Sequence, residues 1–412
     1  MELLAPAGNL EKLYYAYEYG ADAAYIGIKN FSLRAKADNF YENEWEKIRQ
    51  IKGDKKLFGA LNIYFHNSDL KSLEENIDYF KRYPFDAFIL SDLGIIPLLK
   101  KHFPDTPLHL STQANCLNKE SAKLYRDLGF SRIILGRETP LDEIKEMRDY
   151  LPDIELEAFV HGAMCIAYSG RCFLSRYMSD RSANQGDCAQ SCRWQYRYLE
   201  EKQRPGEYMP VIEGDGFTTI LSSKDMCLID YLDKFYDAGV DSLKIEGRMK
   251  SIYYTAVVTR AYRKTIDALE GKGIDNLEEY KNEIYKVSHR EFSTGFYFGK
   301  EEIEQSTQTS YERQYAFLGS IGESVSPGRY RLIVKNQIRK GDPVEYIGPD
   351  ILFKKDSDFI IRDENGTEVD KADHGKFYTI EPSVSLKKGY ILRKPTTTPQ
   401  PVFERGQLPA KT

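Results

Sequence analysis

The sequence is poor in several residues and patterns that would mark common classes of protein. Histidine occurs 6 times and tryptophan twice in 412 residues. Neither an H-E-x-x-H nor a G-x-S-x-G motif is present, so nothing marks a zinc-protease helix or a serine nucleophile elbow. No stretch approaches the ~18 consecutive apolar residues of a membrane span. The opening MELLAPAGNLEK lacks the basic and apolar regions of a signal peptide. These absences lead to an expectation of a cytoplasmic protein with no membrane partner. An excess of basic charge is also missing. With 58 Lys and Arg against 63 Asp and Glu, the net charge is −5. That argues against coating nucleic acid by bulk electrostatics while leaving room for a local basic patch. Cysteine is scarce, at 6 residues, but unevenly placed: all except Cys116 fall between Cys165 and Cys227. In a reducing compartment such clustering signals metal or redox chemistry more often than disulfides.

What is present describes an ordinary globular chain, with 41% apolar and 29% charged residues. Its length suits one large domain plus a smaller one. The 30 tyrosines are assigned to packing and surface contacts. Short apolar runs at Glu2–Ala5, Ala23–Ile28, Leu57–Phe65, Asp86–Leu90, Leu108–Ser111, Arg132–Leu135 and Ile154–Val160 read as strands. Helical patterns separate them, among them Leu10–Tyr19 behind an Asn9 cap and the amphipathic Leu70–Arg82. Lys224–Ala238 reads as a helix, Ser242–Ile245 as an eighth strand and Ile252–Leu269 as a long helix. Eight strands alternating with helices predict an α/β fold, a (β/α)8 TIM-like barrel over residues 1–270 with a Cys-rich insertion at 163–222 after strand 7. An open doubly wound sheet is the alternative. Residues 271–315 read as a connecting segment, 316–393 as a small all-β C-terminal domain and 394–412 as an extended tail.

Chemistry in a (β/α)8 barrel gathers where strands end. Those positions hold Asn62, Ser91, Gln113, Arg137, Glu138, His161, Lys244, Glu246 and Arg248. Singly, each is equally at home as a solvated loop residue or a structural ion pair. Together they describe a polar rim suited to an anionic or heterocyclic ligand. His161, Glu138 and Glu246 are the catalytic candidates there. Gln113, Arg137, Lys244 and Arg248, with Arg193 and Trp194 of the insertion, are the substrate-binding or metabolite-binding candidates.

Cys165, Cys172, Cys188, Cys192 and Cys227 are the metal candidates. Only Cys188 and Cys192 have the tight spacing that zinc sites usually show, whereas loose spacing along a Gly-containing loop suits an iron–sulfur cluster. Zinc, and buried cysteines acting as small hydrophobes, remain open at this point. The insertion interleaves Arg171, Arg176, Arg181, Arg193 and Arg197 with Tyr177, Trp194, Tyr196 and Tyr198. That pattern suits a nucleic-acid strand or an unstacked base, tempered by the adjacent Glu200-Glu201. Cys165 with His161 can be drawn as a peptidase pair, but nothing selects it.

The run Glu157-x-Phe159-x2-Gly162-Ala163-Met164-Cys165-x4-Gly170-x-Cys172-x-Leu174-Ser175 resembles the signature of the U32, or collagenase-like, peptidase family at every defined position. The opening LLAPAGN, Lys244-Ile245-Glu246-Gly247-Arg248 and Arg290 with Gly295-Phe296 are similar to that family too. The resemblance implies a [4Fe–4S] cluster on four cysteines and oxygen-independent hydroxylation of a tRNA wobble uridine, an rRNA cytidine or the ubiquinone ring. In the nucleic-acid branches prephenate is a required metabolite. Cys165, Cys172, Cys188 and Cys227 fit the implied ligand spacing, with Cys192 the alternative to Cys188. The length and the added β-rich domain look like the tRNA branch. The implied reaction forms 5-hydroxyuridine at the wobble position. The tRNA anticodon loop, prephenate and an unidentified electron donor are the partners. Arg137, Lys244 and Arg248 are expected to hold prephenate-like carboxylates. The competing expectation is a peptidase.

Overall fold

Residues 2–245 build their strands from short apolar runs that are buried on both faces, as parallel strands covered by helices must be. The computed structural model of the protein describes residues 1–28, 31–32, 44–165, 174–179, 181, 188–189, 191, 212–214, 217–219, 224–299 and 312–396. Barrel strands are β1 (Glu2–Ala7), β2 (Ala23–Gly27), β3 (Lys56–Leu61), β4 (Ala87–Leu90), β5 (Leu108–Leu110), β6 (Arg132–Ile134), β7 (Glu155–Ala163) and β8 (Ser242–Ile245). Each pairs in parallel with the next, and β8 pairs with both β7 and β1, with Glu2 opposite Ser242. That closure makes the sheet a (β/α)8 barrel and excludes the open sheet. Helix α1 (Leu10–Glu18) starts where expected, the Asn9 side chain accepting from the Lys12 N–H at 2.9 Å. Helix α2 (Ile252–Leu269), capped by Ser251, follows β8.

Two expected helices are different. Leu70–Arg82 is two helices, Asn67–Glu75 and Ile77–Arg82, broken at Asn76, whose side-chain amide donates to the Ser72 carbonyl. Lys224–Ala238 is not one helix. Asp225–Cys227 is a short strand, and the helix is confined to Leu232–Asp237. The reason is tertiary. β7 runs on to Ala163, beyond its last pairing with β8, and Asp225–Cys227 pairs antiparallel with that extension. The parallel partner of Asp225–Cys227 on its other side is Phe292–Ser293.

The barrel interior carries charge. Arg132 donates to Glu2 Oε1 at 2.6 Å, Glu157 Oε2 at 2.9 Å and Glu155 Oε2 at 2.8 Å. Lys244 Nζ donates to Glu157 Oε1 at 2.7 Å. Arg132, Glu157 and Lys244 are all buried. Glu2 Oε1 also accepts from Ser242, tying the closing strands together.

His109 lies in the same interior, edge-on to Phe58 with ring centroids 4.8 Å apart. Burial, and then the positive charges of Arg132, Lys244 and Lys56, hold its imidazole well below the ordinary histidine range. The folded protein therefore keeps His109 neutral where the unfolded chain takes up a proton. Stability from this site is complete above the unfolded pKa of ~6.5 and is lost as pH falls below it. Urea titrations of His109→Phe should show a pH slope shallower by up to about 1.4 kcal/mol per pH unit between roughly pH 6 and 5. An unchanged slope would contradict this assignment.

A second compact unit comprises Asn282–His289 and Tyr311–Thr412, while Arg290–Ser310 groups with the barrel. Its seven-stranded antiparallel sheet packs a core of its own that includes Leu318, Ile321, Leu332, Tyr346, Ile361 and Leu392. Within that unit Arg393 is fully buried and bonds both Glu283 and Glu345. No helix among the described residues is long and apolar enough to cross a membrane.

Candidate active site at the barrel mouth

The loops after β5 and β6 place the first group of polar residues. Arg137 lies over the Phe159 ring, its guanidinium carbon 4.1 Å from the centroid. It is only 9% exposed, yet makes no hydrogen bond or ion pair among the described residues. A buried cation without a partner is costly, so this guanidinium is positioned to receive an anion. Asn115 beside it takes the left-handed conformation, with φ 57°. Glu138 Oε2 and Asn115 Oδ1 converge on Gly136, since a Cβ there would stand 3.1 and 3.5 Å from them. Gln113 is half-buried, and its carbonyl accepts from the Tyr64 hydroxyl at 2.8 Å. Tyr297 donates its hydroxyl to the Phe159 carbonyl at 2.9 Å and accepts from the Leu141 N–H at 3.2 Å through its own carbonyl. Segment 292–299 is thereby fixed near Arg137.

The residues at the end of β8 are placed differently from the rim expected of them. Lys244 is inside the barrel, its ammonium bonded to Glu157 and 4.5 Å from the Tyr25 ring centroid. Burial lowers its pKa, and Glu157 opposes that shift without cancelling it. Arg248 is buried too and donates to Ser32 Oγ at 2.5 Å. Its carbonyl accepts from Lys12 Nζ and passes so close to Gly8 that a Cβ there would sit 2.3 Å away. That contact explains the glycine of the opening LLAPAGN. Glu246 is half-buried and accepts from the Tyr25 hydroxyl at 3.1 Å.

The third group surrounds the end of β7. Lys244 is opposite Phe159 but Ile245 is opposite His161, so Val160 is an extra residue, a β-bulge. Gly162, with φ 110°, then carries the chain past the Glu246 carbonyl, which a Cβ would approach to 2.5 Å. His161 is 1% exposed and packs against the rings of Tyr254, Tyr262 and Phe292. Cys227 pairs with His161 across the ladder. The strand bearing Cys227 is anchored at Asp225, which accepts from Arg290 Nε at 3.0 Å, Nη2 at 2.6 Å and N–H at 3.1 Å. Burial alone would raise the Asp225 carboxyl; Arg290 overcomes it and holds the group below the usual range.

Cys165, Cys188 and Cys227 form no disulfide among the described residues, the first two being exposed and the third half-buried. Ser175 accepts from the Ala189 N–H and donates to the Arg181 carbonyl, while the Arg181 guanidinium donates to the Cys188 carbonyl. Cys172, Cys192, Arg193 and Trp194 lie outside the described residues, as does most of the basic, aromatic stretch. Among the described residues no group of three His, Cys, Asp or Glu side chains converges on a metal position. The candidate donors are all thiols, a set that would select soft metals, zinc or an iron–sulfur cluster, over magnesium or calcium. Cys116 stands apart: burial pushes its thiol up to about 12 and leaves it inert.

Residues 8–307 match the family model for peptidase family U32, and residues 313–393 match the U32 C-terminal domain. The chain belongs to the U32 peptidase family. Among U32 relatives it is similar to "tRNA hydroxylation protein P1" of Bacillus subtilis, 38% identical over 94% of this chain and 94% of that protein. It is 37% identical to "tRNA hydroxylation protein P" of Escherichia coli, over 84% of this chain and 86% of that one. A protein named "Collagenase" from Porphyromonas gingivalis is 31% identical over 73% and 74% of the two chains. In this U32 barrel Tyr262 and Asp225 lie outside the sequence candidates, and Glu157 enters only as the first position of the family signature, without the role of its carboxylate. Only Glu157 gave a local signal, as a charged residue inside a buried strand.

Proposed function

We propose that the protein hydroxylates tRNA, converting uridine at wobble position 34 to 5-hydroxyuridine. The observation that carries this reading is similarity across both units to tRNA hydroxylation proteins. The buried Arg137 at the mouth, which has no hydrogen-bond or ion-pair partner among the described residues, adds chemical support. In this reading the anticodon loop binds the basic, aromatic insertion, and the uracil base leaves its stack to enter the barrel mouth. Replacing its C5–H with C5–OH adds one oxygen atom and removes two electrons from the uracil; an oxygen-donating co-substrate of the prephenate class would supply that oxygen and itself be reduced by two electrons. Cys165, Cys172, Cys188 and Cys227 would hold a [4Fe–4S] cluster, with Cys192 the alternative to Cys188. When bound, such a cluster supplies one-electron transfer, with an external electron donor as its partner.

The residues of the mouth have separate tasks. Arg137 pairs with a carboxylate of prephenate through charge-assisted hydrogen bonds. Lys244 does not, because Glu157 already neutralises it; its task is to hold the barrel interior and the Phe159 ring beneath Arg137. Arg248 and Glu246 fix the β8 loop against Ser32 and Tyr25. Phe159 gives the guanidinium a flat support.

Arg137→Ala should weaken prephenate binding about 10- to 100-fold, the effect of a lost hydrogen bond to a charged group, as measured by calorimetry. Unaltered affinity would remove Arg137 from the site. The function itself is tested by nucleoside mass spectrometry of tRNA from a deletion strain lacking any redundant enzyme. Loss of 5-hydroxyuridine and its derivatives, restored by the intact gene, is expected. Unchanged levels would sink the reading, and gelatin cleavage by zinc-loaded protein would favour a peptidase instead.

A further inference from the structure

Helix α2 sends one buried side chain back to the bulge of β7. Tyr262 is fully buried, and its hydroxyl donates to the Val160 carbonyl at 2.8 Å. The same oxygen accepts the Leu228 N–H at 3.2 Å, lies 3.3 Å from His161 Nδ1 and is 4.0 Å from Cys227 Sγ. The Leu228 N–H also donates to Val160 at 3.0 Å. One phenol oxygen thus meets the bulged residue, the residue after it, and both residues that follow Met226. The two strands pair over just three residues, Asp225 to Cys227. Its far end is clamped by Arg290, while its Cys227 end meets the Tyr262 hydroxyl.

We propose that Tyr262 is a positioning residue for Cys227. Its hydroxyl locks the end of the Asp225–Cys227 strand to the β7 bulge and fixes where the Cys227 sulfur points. The inference rests on the reading of Cys227 as a cluster ligand. The hydroxyl can also serve that ligand directly. Because the Val160 carbonyl keeps the Leu228 N–H, the phenol proton is able to turn toward a thiolate sulfur, the stronger acceptor, without leaving the carbonyl bare. Hydrogen bonds to cluster sulfurs tune the potential and spectrum of the cluster.

Tyr262→Phe removes one oxygen and leaves the ring packing intact. In metal-free protein under anaerobic conditions, iodoacetamide labelling of Cys227, read by peptide mass spectrometry, should accelerate about tenfold, the equilibrium factor of one lost buried hydrogen bond. Cys165 in the same molecules should label at its wild-type rate. In reconstituted protein the variant should show a shifted electron paramagnetic resonance signal and a lower reduction potential. Equal labelling rates for Cys227 in variant and wild type would overturn the proposal. If wild-type protein takes up no iron, the cluster reading fails, while the labelling comparison still decides the role of Tyr262. Should the variant not fold, hydrogen exchange in the wild type decides it. The Leu228 amide must then rank with the protected barrel-core amides, and exchange at the rate of exposed loops would overturn the proposal.

Discussion

Glu157→Met is expected to cost the barrel about 3–5 kcal/mol, the usual penalty for breaking a buried ion pair by removing one partner. For a domain of this size that corresponds to a fall of roughly 6–20 °C in melting temperature. Glu157 is fully buried and bonds Arg132 with one carboxylate oxygen and Lys244 with the other. Arg132 keeps Glu2 and Glu155 after the substitution, whereas Lys244 loses its carboxylate partner inside the barrel. An uncompensated ammonium there must either lose its proton or draw water into the core. Adding Lys244→Met should restore much of the loss, because apolar groups of similar volume often replace a buried pair at little net cost. A double-mutant cycle by urea denaturation gives the coupling directly. A Glu157→Met penalty below about 1 kcal/mol would mean that the network is solvated and of surface strength.

The second large effect separates chemistry from folding. Cys165 and Cys188 are exposed thiols, so Cys165→Ala and Cys188→Ala should change stability by no more than about 0.5 kcal/mol. Iron binding should respond quite differently. Wild-type protein reconstituted anaerobically should carry about four iron atoms per chain, as a [4Fe–4S] cluster requires. Each of the Ala variants at Cys165, Cys172 and Cys227 should carry almost none and form no hydroxylated nucleoside. Comparing Cys188→Ala with Cys192→Ala identifies which of the two is the ligand, since only one should lose iron. Full iron content in all five variants would reject the cluster on these residues. Zinc in place of iron, with proteolysis of gelatin, would support the peptidase instead.

Much of the barrel was legible because parallel strands buried on both faces leave continuous apolar runs. The eight runs from Glu2 to Ile245 fall within a few residues of the observed strands. Several features were not legible, for different reasons. Asp225–Cys227 is extended only because β7 offers an edge some 60 residues earlier in the chain. Nothing within Lys224–Ala238 reports that edge. The facing of His161 was hidden by the bulge: one extra residue at Val160 changes the phase of alternation, so counting along β7 from Glu157 misplaces everything after it. Lys244 was misread by a similar margin. It is the third residue of a four-residue strand, one position inside the end where the rim was expected. Arg137 is legible at the rim from its position after β6, but its seat on the Phe159 ring comes from another strand and is not.

Ring closure through β1 and β8 has a consequence for how the protein is made. β1 leaves the ribosome ahead of the other barrel strands, yet one of its edges waits for Ser242–Ile245. At ordinary elongation rates of about 5–20 residues per second, that wait lasts on the order of 10–50 s. Throughout it, Glu2 lacks Ser242, and Glu157, once synthesised, lacks Lys244. The nascent chain is thus an open, curling sheet with two unsealed margins, and Cys165, Cys172 and Cys188 emerge before the strand that seals it. Capture of β1 by a neighbouring nascent chain is the hazard this topology brings to its own synthesis.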